Sequence, residues 1–504
     1  MLRTRVIPWS RSVLRLLPKH TAWAESSSLD TTESRLCRSV QSRVQMHPDR
    51  SGIVELRDAR HAFAARAHLA EAAEFTLDIQ YYIWRNDMSG TLLFEALRQA
   101  ADRGVRVRLL IDDNNTSGLD ELLADLDAHP NIEVRLFNPF MIRRWRLLNL
   151  YDFARLNRRM HNKSFTADNQ VTIIGGRNIG DEYFDAHNEI AFVDLDILAI
   201  GPVVTDVSND FERYWRSESS YPVAKILRKP TRASIQAITA AAARVAGDPA
   251  AVAYVNALQS SRFVQDLIAG TLPYEWAVAR MLSDDPAKVL GRARPHQLLL
   301  ERLRNALGDP TQELLLITAY LVPTRAGVEA LAKLARSGVR ITVLTNSLEA
   351  TDVGIVHAGY AKHRKQLLKA GIVIYELKRL SATTSGRDRK LTGSSGASLH
   401  AKTFSVDRRR LFVGSFNFDP RSARLNTEMG FLIDSPILAR GIAGSFDSDI
   451  PNRSYRVELT SHGTLNWIER RGGATIVHTW EPGARWWRRT LLYLLSKLPI
   501  EWLL

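Results

Sequence analysis

Apolar and polar positions along this chain follow a pattern that occurs twice. The short apolar-rich runs Thr76-Leu-Asp-Ile-Gln-Tyr-Tyr-Ile83 and Glu313-Leu-Leu-Leu-Ile-Thr-Ala319 read as strands. Behind the first, Leu92, Leu93, Phe94, Ala96, Leu97 and Ala100 recur at helical spacing, and behind the second Val328, Ala330, Leu331 and Leu334 do the same. Two further strands then begin at a glycine: Gly104-Val-Arg-Val-Arg-Leu-Leu-Ile111 and Gly338-Val-Arg-Ile-Thr-Val-Leu344. Strand, helix, strand is a βαβ unit, and central strands this apolar belong in a sheet covered on both faces. The expected fold class is α/β, with two pseudo-symmetric βαβ halves, each a mixed sheet flanked by helices. Residues 51–217 are assigned to the first half and 296–435 to the second. Between them, 218–295 is alanine-rich with helical spacing near Ala237 to Ala246 and reads as a helical connection or insertion. Residues 1–50 read as a basic, flexible N-terminal extension, and 436–504 as a C-terminal region ending in an amphipathic tail.

A second doubling lies inside this one. His161-x-Lys163-(x)4-Asp168 and His400-x-Lys402-(x)4-Asp407 share their intervals. Counting on from either aspartate, matching steps reach Gly175 and Gly414, Asn178 and Asn417, and Glu189 and Glu428. Around each histidine the pattern is strand-like, so His and Lys, two positions apart, share a face. The aspartates follow at a turn and are expected to hold it, and as members of the repeated motif they are counted with the histidines and lysines among the catalytic residues. The next apolar run ends at a glycine, where backbone can come close to a phosphate. Two identical half-sites imply one pocket at the interface of the halves. There Lys163 and Lys402 could neutralise a phosphodiester while Asn178, Asn417 and the Ser415 hydroxyl donate hydrogen bonds to its oxygens. One imidazole, neutral, would attack phosphorus. The other, protonated, would serve the leaving oxygen, a division suited to a group titrating near pH ~6.5. Glu189 and Glu428 are expected to orient the imidazoles through their far ring N–H. This chemistry calls for no metal and no cofactor.

These residues resemble the phospholipase D superfamily, whose signature, His-x-Lys-(x)4-Asp with Gly-Ser-x-Asn behind it, is carried twice. Gly414-Ser-Phe-Asn417 matches fully, whereas Gly175-Gly-Arg-Asn178 lacks the serine hydroxyl. The stretches Met160-His-Asn-Lys-Ser-Phe165, Gly175-Gly-Arg-Asn-Ile-Gly-Asp181, Ser395-Gly-Ala-Ser-Leu-His-Ala-Lys402, Gly414-Ser-Phe-Asn-Phe-Asp-Pro-Arg-Ser422 and Leu498-Pro-Ile-Glu-Trp-Leu-Leu504 are similar to the bacterial cardiolipin synthases of the C type. So is Leu282-Ser-Asp-Asp-Pro-Ala-Lys288, which is therefore expected to be ordered and to shape an acceptor pocket. The resemblance implies a phosphatidyltransferase that forms a phosphohistidine, takes phosphatidylglycerol or phosphatidylethanolamine as donor, and passes the phosphatidyl group to phosphatidylglycerol. It also implies peripheral attachment at the cytoplasmic side of a bacterial inner membrane. By analogy His161 is the nucleophile and His400 the acid, an order that the symmetric spacing leaves open. A phospholipase D-type hydrolase and a phosphodiester nuclease of the same superfamily are the alternatives.

Composition narrows the partners. The chain has 504 residues, and Lys plus Arg exceeds Asp plus Glu by 68 to 54, giving a formal charge of +14 that suits nucleic acid or an anionic bilayer. The tail favours lipid: Arg485-Trp-Trp-Arg-Arg489 leads into a leucine-rich face and ends at Trp502-Leu-Leu504, as a helix lying at headgroup depth would. A second basic cluster, Arg143 to Arg159 with Trp145, Tyr151 and Phe153 among its arginines, precedes His161. The expected partners are phospholipid substrates and an anionic phospholipid membrane rather than nucleic acid. No run of apolar residues is long enough to span a bilayer, and Arg15 interrupts the stretch a signal peptide needs. One cysteine, Cys37, excludes an intrachain disulfide. Asp112 and Asp113 close a strand whose counterpart ends in Asn346 and Ser347, so they read as structural or modestly substrate-related.

Overall fold

The computed structural model describes residues 17–18, 29–186, 191–229, 232–379 and 397–483. In the first half the strands are β1 (Ser51–Leu56), β2 (Thr76–Tyr81), β3 (Arg106–Asp112), β4 (Ile132–Phe137), β5 (Ser164–Ala167), β6 (Val171–Gly175), β7 (Ala191–Val193), β8 (Asp196–Ile200) and β9 (Ser220–Pro222). The second half has β10 (Glu275–Ser283), β11 (Glu313–Thr318), β12 (Arg340–Asn346), β13 (Val373–Leu377), β14 (Ala397–Leu399), β15 (Lys402–Val406), β16 (Arg410–Gly414), β17 (Met429–Asp434) and β18 (Ser454–Leu459). A closing hairpin, β19 (Leu465–Arg471) and β20 (Ala474–His478), follows it.

Each half is the same mixed sheet. β2, β3 and β4 are parallel, as are β11, β12 and β13, and the other strands add antiparallel on either side, except β7 and β14, which form a separate pair. The first parallel crossover of each half is the helix Met88–Asp102 or Thr324–Arg336, which the helical spacing predicted, and the second is Asp120–Asp127 or Gly354–Lys369. The first crossovers end alike: Gly104 and Gly338 each take φ 96, a conformation that only glycine adopts cheaply, and turn the chain straight into the next strand. β1 pairs antiparallel with β10, so the two sheets run on as one of 18 strands among the described residues.

Behind this continuity lies a shared core. Ile174, Ile197 and Ala199 of the first half pack with Leu411, Val413, Phe431 and Ile433 of the second, all essentially excluded from water. At roughly 1.5–3 kcal/mol for each fully buried large apolar side chain, this seam is a permanent interface.

Three boundaries differ from those expected. Residues 275–283, counted with the connection, are β10, which pairs with β17 and belongs to the second sheet. Its strand pattern is obscured because apolar residues stand on both faces: Ala277, Ala279 and Met281 pack on the seam core, whereas Val278 on the other face is exposed. The second half also continues past residue 435, because helix Pro436–Asp447 and β18 match helix Pro202–Trp215 and β9. Finally, part of the N-terminal extension is folded: helix Arg35–Met46, capped by Ser34 on Cys37 N at 3.0 Å, buries Leu36 and Val40 in the first core. The connecting helices Arg232–Ala246, Pro249–Gln259 and Arg262–Ile268 lie against the outer helices of the first half, where the Tyr254 hydroxyl donates to Phe184 O at 2.8 Å. The basic, tryptophan-rich tail and Glu189 fall outside the described residues.

Candidate active site

Each histidine is stitched to the opposite half. Met160 and Thr427 form a parallel bridge, and His161 N donates to Thr427 O at 2.9 Å. Correspondingly, β14 pairs with β7 in parallel and His400 N donates to Val193 O at 2.8 Å. The residue after each of these acceptors is an acid, and the side chains meet in the same crossed fashion. His161 Nδ1 lies 2.8 Å from Glu428 Oε2, and His400 Nδ1 lies 2.6 Å from Asp194 Oδ2. A carboxylate on Nδ1 directs the other ring nitrogen, Nε2, toward the pocket.

Lys163 and Lys402 are buried beside these rings, and each ammonium donates to the carbonyl of its own motif's histidine. Lys402 Nζ is also 3.1 Å from His400 Nδ1. The four basic groups sense one another. Burial, then Lys163, Lys402 and His400, hold His161 well below the ordinary histidine range. Lys163 is held well down by burial and by Lys402, against the pull of Glu428 and Asp194. Burial also lowers Lys402. Buried basic groups that hold down one another's charge in this way make a pocket that an entering anion would relieve.

The two carboxyls differ. Burial opposes the charge of Asp194, but His400, Lys402 and Arg177 outweigh it and bring Asp194 down to about 2. Burial instead pushes Glu428 up to about 7, in spite of Lys163 and the Ser415 hydroxyl. The surroundings explain the contrast. Beside Asp194, Arg177 donates to Asp194 O at 2.7 Å, and Arg66 pairs with Asp196 at 2.8 Å in a buried cationic cluster. At the position matching Arg177 the second half has Phe416, buried in apolar core. Glu428 N instead meets another acid, Asp284, whose oxygen accepts from it at 2.9 Å and from Lys288 Nζ at 2.8 Å. The 282–288 segment thus lies directly behind the site.

Several positions chosen from spacing have other partners. Asp168 accepts from Glu74 N, Phe75 N and Thr76 N at 2.8–3.0 Å, and Asp407 from Thr311 N, Gln312 N and Glu313 N. Both open three-residue hairpin loops, 168–170 and 407–409, and take positive φ at the far end of β5 and β15 from the histidines. They anchor the hairpins and do not touch the imidazoles, which removes them from the reacting groups. Asn178 is engaged at both ends, with Ile83 N at 3.2 Å and Tyr183 OH at 3.0 Å. Asn417 keeps an amide oxygen that is buried without a partner, and Ser415 Oγ is turned onto Glu428. Gly175 and Gly414 serve strand packing, not phosphate approach. A Cβ there would stand 2.1 Å from Asp196 Oδ1 or 2.2 Å from Met429 O.

Gly176 explains the serine missing from the first motif. A Cβ at 176 would fall 2.1 Å from Asp194 Oδ1, so the Asp194 carboxylate fills the place that a serine side chain would take. Asp194 itself escaped the spacing argument, as did the rings around the imidazoles. Tyr82 stands edge-on to His161 at 5.0 Å, and Tyr183 and Phe192 flank His400 at 5.2 and 5.1 Å. An acid two residues ahead of β8, as Glu428 stands just ahead of β17, was the available signal. Asp112 accepts from Met160 N at 2.8 Å, and Asn346 accepts from Leu399 N at 2.8 Å, so both brace the residue preceding a histidine.

Comparison with known proteins adds to this geometry. The family profile described as "Cardiolipin synthase, PLD-like domain" matches residues 67–215 and 302–450. The chain is 52% identical over 472 residues to cardiolipin synthase C of Escherichia coli strain K12, covering 93% of this chain and 100% of that one. Cardiolipin synthase B of the same strain is 25% identical over 376 residues, covering 72% of each chain. Among solved structures, the phosphatidylserine synthase of Haemophilus influenzae Rd KW20 shares the fold with a TM-score of 0.55 at 14% identity, over 84% of this chain and 91% of that one.

Proposed function

The chain belongs to the PLD-like cardiolipin synthase family, and on that footing we propose that it makes cardiolipin by transferring a phosphatidyl group onto phosphatidylglycerol through a phosphohistidine. The observation that carries the proposal is the crossed pair of imidazole–carboxyl contacts with unequal carboxyls. His161, held neutral and kept in register by Glu428, presents Nε2 as nucleophile. Burial and Lys402 lower His400 below the ordinary histidine range as well, but it faces a carboxylate that stays ionised, which pulls it back toward the imidazolium a proton donor needs.

In the first step a P–N bond forms at His161 while the bond from phosphorus to the headgroup oxygen breaks, and His400 supplies the proton to that oxygen. In the second, His400 removes the proton from a hydroxyl of phosphatidylglycerol, whose oxygen attacks phosphorus and frees His161. Lys163 and Lys402 carry the phosphate's negative charge throughout, and the Asn417 side chain is a further polar contact for it. The same steps accept phosphatidylglycerol or phosphatidylethanolamine as donor. Attachment is peripheral, at the cytoplasmic side of the bacterial inner membrane. Among the described residues no helix is long and apolar enough to cross a membrane, and the charge of +14 suits an anionic surface.

The test is to incubate the purified chain with vesicles of labelled phosphatidylglycerol, with and without phosphatidylethanolamine. Cardiolipin is the expected product, falling at least ~10³-fold in His161→Ala and in His400→Ala. An acid-labile labelled adduct should build up slowly in His400→Ala alone. Phosphatidic acid as the sole product would replace transfer by hydrolysis, and an adduct confined to His161→Ala would reverse the two histidines.

A further inference from the structure

Between β4 and His161 the chain forms a small lobe around the short helix Arg146–Asp152. Its outer side is apolar to an unusual degree for a surface: Trp145 is 65% exposed, Leu147 80%, Leu148 61%, Tyr151 48% and Phe153 40%. This exposure does not come from a slack loop, because the inner side is pinned by polar contacts. Arg143 pairs with Asp113 at 2.7 Å and with Asp120, and Arg146 donates to Asp113 O at 2.8 Å and Thr116 Oγ1 at 2.9 Å. The Asn149 side chain bonds Ile142 N at 3.0 Å and Ile142 O at 2.8 Å. The sequence thus spends its polar groups inward and holds its large apolar groups out.

The lobe also has a fixed place relative to the chemistry. Arg146 donates to Asn114 O at 3.1 Å, Asn114 Nδ2 donates to Tyr82 OH at 3.2 Å, and the Tyr82 ring stands over His161. These contacts put the lobe at the rim of the pocket on the His161 side. Of the six arginines from 143 to 159, Arg143 is paired with Asp113 and Asp120 and Arg155 with Asp152, while Arg144 is exposed and offers its charge at the surface. Tryptophan, tyrosine and leucine beside arginine suit the boundary between headgroups and acyl chains of an anionic bilayer. A second copy of this chain fits less well, since pairing the lobe with itself would oppose arginine to arginine.

Resting on the phospholipid chemistry above, we propose that the Trp145–Phe153 lobe is an interfacial anchor, which sinks Trp145, Leu147, Leu148, Tyr151 and Phe153 into an anionic phospholipid surface and so seats the pocket rim on its substrate. The test compares the full chain with Leu147→Ser/Leu148→Ser and with Leu147→Phe/Leu148→Phe. Sedimentation with vesicles of equimolar phosphatidylglycerol and phosphatidylcholine should show roughly tenfold weaker partitioning for the serine pair and none of that loss for the phenylalanine pair. Turnover of vesicle phosphatidylglycerol should fall in step, while turnover of a short-chain phosphatidylglycerol dissolved as monomers stays unchanged. Undiminished vesicle binding by the serine pair overturns the proposal. So does a wild-type dimer that the serine pair dissolves without loss of vesicle binding. If the wild type turns over neither substrate, the transferase reading fails, while sedimentation still decides the anchor.

Discussion

The two halves place the same histidine and lysine on the same strands, yet they lend each other very different acids. The first half supplies Asp194, set among Arg177, Lys402 and His400 and held down to about 2. The second supplies Glu428, set against Asp284 and apolar core and pushed up to about 7. Identical motifs therefore do not make identical half-sites. What separates the histidines is the packing behind the acids, and in the mechanism proposed above that difference sets a nucleophile opposite a proton donor.

Exchanging charge for a neutral amide tests this division most severely. Asp194→Asn should cost ~10²–10⁴-fold in turnover at neutral pH, since it removes an ionised partner from His400. Glu428→Gln should cost only about tenfold, because that carboxyl is already close to half-protonated there. Equal losses would erase the comparison. Stability should separate the two as well. Folding raises Glu428 from 4.5 to about 7, so its contribution weakens as pH rises between those values and is flat above them. Thermal denaturation of Glu428→Gln should lack that decline. Folding depresses Asp194 from 3.8 to about 2, so its contribution is complete above 3.8 and is lost as pH falls toward 2.

A smaller effect is expected from trading the residues beside the acids. Gly176→Ser would force a Cβ into Asp194 and should cost about 1–3 kcal/mol of stability, read by chemical denaturation. Ser415→Gly removes the hydroxyl on Glu428 and leaves Met429 N, now 3.0 Å from Ser415 Oγ, without an acceptor, a loss of about 1–2 kcal/mol. A stable, active Gly176→Ser would show that the missing serine has no steric reason. The smallest change belongs to Asp112→Asn. Asn346 already braces Leu399 as Asp112 braces Met160, so turnover should stay within about threefold.

Much of this was legible in the letters. The strand–helix–strand units were marked by their periods, and the histidines and lysines by their repetition. Asp194 was not, because it breaks the constant interval that the other repeated residues keep. Glu428 stands 21 residues after Asp407, whereas Asp194 stands 26 after Asp168, so counting led to Glu189. Five additional residues before β8 shift the acid while preserving its place beside the strand. Nor could spacing reveal that each imidazole takes its carboxyl from the opposite half. Those contacts close loops of 267 and 206 residues and leave no local pattern. The catalytic reading of Asp168 and Asp407 failed for a related reason: a fixed interval from a histidine can mark the end of a hairpin as easily as a reacting group.

The crossed contacts also say something about ancestry. A half-length chain with one histidine, one lysine and one acid could not pair its own imidazole, but two copies docked head to head could complete each other twice over. Joining them end to end would have freed each copy from having to satisfy both roles at once, and Gly176 beside Asp194 against Ser415 beside Glu428 is the kind of divergence that such a tandem duplication permits.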